Sequence, residues 1–203
     1  MLIKKKLYAL LVMSVFMGVT MANDIYIEQI GDSSTINITQ DGTGNTIGDL
    51  AIPAFIGGGS NTVAIEQVGI GNTLSMMVNG ASTTVNAITL GNNNTQSITC
   101  GSSSSASCSG SAITQTVTGD NNTVTQNLGA GGNHTSEITI LGDSNTVNHT
   151  STSAGASNVN IAVTGGTTAQ PNVISVNQSG STAQSVTVNS VGNGNNIAIV
   201  QSN

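Results

Sequence analysis

The chain has 203 residues, 25 of them glycine, with only 6% charged and 2% aromatic residues and a formal net charge of −6. Its three basic residues, Lys4, Lys5 and Lys6, all sit at the N-terminus, so residues 23–203 hold all nine carboxylates and no Lys or Arg. That stretch cannot neutralise phosphates or anionic headgroups, which excludes nucleic-acid partners and a membrane-surface role, and it has too few large side chains to fill a compact core.

In chain order, the first element is a leader. The three lysines precede the apolar run "LYALLVMSVF" at 7–16, which is too short to span a bilayer. Thr20 and Ala22 supply the small residues that a signal peptidase requires. Residues 1–22 therefore read as a secretory signal peptide, with Asn23 the first mature residue and an extracellular or cell-surface destination.

From residue 23 the chain repeats itself, and repetition is read before secondary structure. The pattern Asn-x-[Ile/Val]-x-[Ile/Val]-x-Gln fits "NDIYIEQ" at 23–29, "NTVAIEQ" at 61–67, "NVISVNQ" at 172–178 and "NNIAIVQ" at 195–201. "STINITQ" at 34–40 fits with Ser for Asn, and weaker copies start at 45, 72, 83, 94, 111, 122, 134, 145, 157 and 184. Most steps are 11 or 12 residues; the longer ones contain insertions near 48–60, 101–110 and 164–171. Cys100 and Cys108 bracket the second insertion, and in an exported chain they are candidates for one disulfide.

Each unit alternates. In "NTVAIEQ", Asn61, Val63, Ile65 and Gln67 share one face while Thr62, Ala64 and Glu66 share the other, a period of two that specifies strand. Glycine follows two residues past the Gln slot at Gly31, Gly42, Gly69, Gly91, Gly119, Gly142, Gly180 and Gly192, where a tight corner needs backbone freedom. A meander has no use for amides on its apolar side. A β-solenoid does: coils stacked at about 4.8 Å place like amides above one another, where they satisfy each other in ladders. The expected fold is all-β, a solenoid with two strands per coil of about 22 residues, roughly seven coils and a length of about 35 Å. The amides expected inside are Asn23, Gln29, Gln40, Asn45, Asn61, Gln67, Asn72, Asn94, Asn122, Asn145, Asn172, Gln178, Asn195 and Gln201.

Outward threonines recur at Thr35, Thr46, Thr62, Thr73, Thr84, Thr95, Thr123 and Thr146. They fall on successive strands and so on both faces, which fits β-propensity and solubility better than an ice-binding array. Nothing reads as an enzyme, a cofactor site or a metal site. His134 and His149 have no carboxylate at motif spacing and read as solvated surface residues; no G-x-S-x-G elbow occurs. Asp32, Asp41, Asp120 and Asp143 fall in expected turns, and the calcium-binding nonapeptide signature is absent.

"QDGTGN" at 40–45 and "QVGIGN" at 67–72, with the degenerate "QIGDSS" at 29–34 and "QSGSTA" at 178–183, resemble the curlin repeat of bacterial curli subunits. The resemblance implies a β-solenoid with Gln and Asn ladders, export through an outer-membrane apparatus, a nucleating subunit as partner, and assembly into functional amyloid of the biofilm matrix. The repeat reaches both ends of the mature chain without a cap, so its edges are expected to add strands of further copies, head to tail. The rival expectation is a monomeric or tip-located adhesin whose inserted loops bind a receptor.

Overall fold

The computed structural model describes residues 22–101, 108–129 and 131–203. Residues 1–21, on which all but the last residue of the expected signal peptide at 1–22 falls, residues 102–107 of the second insertion and residue 130 lie outside them. Among the described residues all regular structure is strand. The chain begins with β1 (Asp24–Ile25), β2 (Ile27–Ile30), β3 (Thr35–Thr43), β4 (Thr46–Ile47), β5 (Ala54–Gly57) and β6 (Thr62–Ile70). It continues with β7 (Thr73–Asn79), β8 (Thr84–Leu90), β9 (Thr95–Cys100), β10 (Ala112–Thr118), β11 (Thr123–Leu128) and β12 (Thr135–Leu141). The last five are β13 (Thr146–Ser151), β14 (Ser157–Thr164), β15 (Val173–Ser179), β16 (Gln184–Val191) and β17 (Asn196–Ser202).

Strands alternate between two parallel sheets. The first runs β1–β4–β7–β9–β11–β13–β15–β17, with β2 and β5 completing the levels begun by β1 and β4; the second runs β16–β14–β12–β10–β8–β6–β3. One strand of each sheet and two corners make a coil, and about seven coils stack into a β-solenoid. Every repeat start read from the sequence falls at the head of one strand level. Register is held because a one-residue slip would turn each strand inside out: Val63 pairs with Val85, Ile65 with Ala87 and Gln67 with Thr89.

Alternation became burial as the pattern required. Asn61, Val63, Ile65 and Gln67 are buried, while Thr62 and Glu66 are exposed. The inward aliphatics form two apolar clusters. One spans the N-terminal coils around Ile47, Ile56, Leu74 and Ile98; the other spans the C-terminal coils around Val147, Ile161, Ile174 and Val176. Each such side chain taken out of water contributes about 2 kcal/mol, and this burial is the main force holding the coils together.

The first insertion is smaller than its sequence indicates. Gly48 N–H still donates to Leu74 O, and Ala54 N–H donates to Tyr26 O at 2.8 Å each, so only 49–53 leave the ladder. Residues 54–57 return to it as β5, paired with β2 and β7. The excursion therefore rises from the middle of the first sheet's outer face, not from a corner. It is closed by Asp49, whose Oδ1 accepts from Ala51 N–H at 2.7 Å and Ile52 N–H at 2.6 Å. The second insertion follows β9 at a corner, and Cys100 and Cys108 are bonded across it with both sulfurs inside the solenoid. The third, at 164–171, lies at the opposite corner, between β14 and β15.

Candidate functional site: a polar spine and open edges

The corner leading from the second sheet back to the first repeats as G-x-x-N, and it builds a column of asparagines. Asn45, Asn72, Asn94, Asn122, Asn145 and Asn172 are buried at successive levels. Each Nδ2 donates to the preceding Oδ1: Asn72 to Asn45 at 3.0 Å, Asn94 to Asn72 at 3.1 Å, Asn122 to Asn94 at 3.1 Å, Asn145 to Asn122 at 3.0 Å and Asn172 to Asn145 at 2.9 Å. The other Nδ2 hydrogen goes to a corner glycine carbonyl, as from Asn94 to Gly119 at 2.7 Å and from Asn122 to Gly142 at 2.8 Å. The same oxygens accept backbone N–H groups, Asn145 to Asn122 at 2.9 Å being one. Every polar atom of the column is used, so burial carries no unpaired-group penalty of about 1–3 kcal/mol per atom.

The side-chain ladder has a direction: one Nδ2 hydrogen of each residue points to the Oδ1 of the preceding coil, and the other reaches forward to the glycine carbonyl of the next corner. At its two ends Asn23 Oδ1 accepts Asn45 N–H at 3.0 Å, and Asn195 N–H donates to Asn172 Oδ1 at 2.9 Å. Asn195 leaves the side-chain ladder, its Nδ2 donating to Ser190 Oγ at 3.1 Å and Val191 O at 3.2 Å.

The glutamines do not form a matching ladder. Gln29 is exposed and donates to Gly31 O at 3.2 Å. Gln40 donates to Gln67 at 2.7 Å and Gln178 to Gln201 at 2.9 Å. Between these two pairs the same slots hold Val78, Cys100 and Leu128, or Thr89 and Val117. Asn61 also stands apart, in the second sheet, donating to Gly57 O at 2.9 Å and accepting from Thr83 N–H at 2.9 Å.

Inward amides that the repeat pattern did not single out occupy other slots. Gln96, Gln115 and Gln126 are buried. Counting inward positions from each strand start would have found them; the motif, which fixes Gln only at the strand end, does not.

The two histidines overturn their sequence reading: both are completely buried. Both sit at inward positions of the alternation, which outranks the usual polarity of the residue type. His149 lies between two glutamines. Gln126 Nε2 donates to its Nδ1 at 3.5 Å, and its Nε2 donates to Gln178 Oε1 at 3.2 Å. Gln115 donates to Gln126 at 3.0 Å, so Gln115, Gln126, His149, Gln178 and Gln201 form one hydrogen-bonded chain. This assignment needs the neutral ring with its proton on Nε2. Burial pushes the His149 pKa down to about 4; the Gln178 hydrogen bond opposes that shift and the charge of His134 adds to it. His134 Nδ1 accepts Ser157 N–H at 3.1 Å, and its Nε2 donates to Gly131 O at 2.9 Å.

The carboxylates stay outside. Asp32, Asp120 and Asp143 are at corners, whereas Asp41 lies within β3 and not in a turn. Asp120 Oδ1 accepts Asn92 N–H at 2.7 Å, and Asp143 Oδ1 accepts Asp120 N–H at 2.8 Å. Among the described residues no cluster of three or more His, Cys, Asp or Glu could hold a metal ion.

The remaining feature is the pair of rod ends. Among the described residues β3 pairs only with β6, β16 only with β14, and β17 only with β15. At the C-terminal end the inward residues of β17, Ile197 and Ile199, are half-buried, whereas Ile174 and Val176 one level below are sealed. A recess of about 450 Å³ opens beside β17, lined by Ala183, Gln184, Ser185, Val200, Gln201, Ser202 and Asn203. Together the ladder and the paired parallel sheets define a polar-spined parallel β-solenoid. The chain matches no family model, no curated protein and no solved structure.

Proposed function

We propose that this protein is a secreted structural subunit that polymerises end to end into an extracellular, curli-like amyloid fibre of a biofilm matrix. The observation carrying this reading is the pair of sheet edges on which the described rod ends. An unpaired strand edge offers a row of N–H and C=O groups to any incoming strand. Within the rod each outward-facing residue donates its N–H to the following coil, as Val173 does to Asn195 O at 2.8 Å. By the same geometry Ala198 and Val200 of β17 aim theirs into solvent, and a further copy can take them up as the next coil would. Amide columns in register and dry aliphatic layers are the features that stabilise cross-β polymers. The resemblance to curlin repeats supports the same role.

Ala198→Pro tests this. Proline removes an N–H that no described residue uses, and it is tolerated on an edge strand. The variant is expected to keep its β circular dichroism while fibre growth, followed by thioflavin fluorescence and electron microscopy, falls at least tenfold. Fibres that grow at the wild-type rate from this variant, or a wild-type protein that stays monomeric, would defeat the reading.

A further inference from the structure

We propose that the outer face of the first sheet, from β7 to β17, is a pairing surface for a second copy of this chain lying alongside in the opposite direction. The inference stands apart from end-to-end growth, because it concerns the side of the rod.

The starting point is charge. Residues 22–203 carry nine carboxylates and no Lys or Arg, so two copies repel, and like charges pressed together in a contact cost several kcal/mol. Self-association along the side is therefore confined to surface without carboxylates. Asp41, Glu66 and Glu137 sit on the outer face of the second sheet. Asp32, Asp120 and Asp143 occupy the corners, and Asp24, Glu28 and Asp49 belong to the first two levels of the first sheet. From β7 onward the outer face of the first sheet has none.

What that face carries suits a flat contact. Thr73, Thr95, Thr123 and Thr146 stand in one column, in register across four strands. The columns beside it are mostly Ser, Thr and Asn. Such side chains are short and lose little rotamer freedom on burial. Uncharged, β-branched and amide-rich faces are what stacked sheets interdigitate at about 10 Å. Six strands at about 4.8 Å spacing and about 20 Å length give about 580 Å² per copy, so a pair buries about 1,150 Å². That lies just above the roughly 1,000 Å² at which specific interfaces begin, so the pair is weak and concentration-dependent.

The excursion at 49–53 selects the direction. It rises from the same face at its N-terminal limit and exposes Leu50 by 81% and Ile52 by 66%. Two copies pointing the same way would set these projections against each other and hold the faces apart. In the opposite direction each projection clears the partner's last strand and lies beside Val200, itself 75% exposed, apolar against apolar.

The test is sedimentation velocity and small-angle scattering on freshly purified protein before fibres form. Wild type is expected to form a dimer as concentration rises, with a maximum dimension close to that of the monomer. Thr125→Asp, at the centre of the face, is expected to weaken that dimer at least tenfold; Ile52→Ser, on the excursion and outside all strand pairing, weakens it several-fold. Thr187→Asp, on the second sheet, leaves it unchanged. A dimer of doubled length reports end-to-end contact instead and overturns the lateral proposal while leaving the fibre reading intact. A monomer at all concentrations, or equal effects of the two Asp variants, also overturns it.

Discussion

At the scale of single residues, His149 gives the clearest signature of a packed solenoid interior. Its pKa is lowered to about 4 from an ordinary 6.5, chiefly by burial, so the fold holds the neutral ring and excludes the proton. The unfolded chain binds that proton with the ordinary pKa. The stabilisation is therefore complete above about pH 6.5 and is lost progressively as pH falls toward 4, a total of about 3 kcal/mol. His149→Gln keeps a donor and an acceptor between Gln126 and Gln178 while removing the titration. Urea unfolding from pH 7.5 to 4.5 is expected to show wild type losing about 2–3 kcal/mol relative to this variant. Parallel pH profiles would mean that the ring reaches water. The histidines also show where residue type misleads: polarity placed them outside, but position in the alternation put them inside. The asparagine column was legible because its residues recur at one slot, before the first aliphatic. The glutamine chain was not, because Gln96, Gln115 and Gln126 sit at inner slots where the repeat usually holds Ile or Val.

At the scale of elements, the corners set the coil spacing. Gly42, Gly69, Gly91, Gly119, Gly142, Gly165 and Gly192 stack with positive φ, and from Gly69 onward the carbonyl of each lies where a Cβ of the glycine below would fall. Gly119 has φ +123, and an added methyl would stand 2.1 Å from Gly142 O and 2.7 Å from Gly142 C, both backbone atoms of the next coil. Gly192 has φ +106, but the nearest atom to its added methyl is Asn195 Nδ2 at 3.8 Å. Gly119→Ala therefore suffers both strain and collision, while Gly192→Ala suffers strain alone, about 1–3 kcal/mol. Denaturation midpoints should place Gly119→Ala well below Gly192→Ala; equal losses would mean that φ and not stacking requires glycine. Gly192→Ala also sets a methyl on the end of the rod and should slow fibre elongation more than its modest instability explains. Strand elements were readable from period two and corner glycine together. Gly165 and the return of residues 54–57 were not, since each is embedded in a segment whose length breaks the 11–12-residue step.

At the scale of the whole molecule, the two sheets are unequal. The first has eight levels and the second seven, so β17 overhangs a recess beside β16. A second copy placed with β1 and β2 directly on β17 would continue the asparagine column, but it would leave one strand position of the second sheet empty between copies. That gap keeps the edges of β16 and β3 unpaired and the flank of the core wet, a larger loss than one amide contact of about 1 kcal/mol. Turning the second copy by half a revolution about the rod removes the gap. The two sheets run in opposite directions within each coil, so the rotation exchanges them and keeps all pairing parallel: β1 and β2 land on β16, and β3 lands on β17. Gly31 then covers Gly192, extending the glycine stack. Ser34, whose hydroxyl has no partner among the described residues, comes over Asn195. Fibres grown from residues 22–203 should accordingly advance about 36 Å per copy, seven and a half coils at about 4.8 Å, with a turn near 180° added to the twist of the sheets. Helical reconstruction by electron cryomicroscopy reads both quantities. An advance of about 38 Å with no half-revolution would identify direct stacking and a missing strand in every copy.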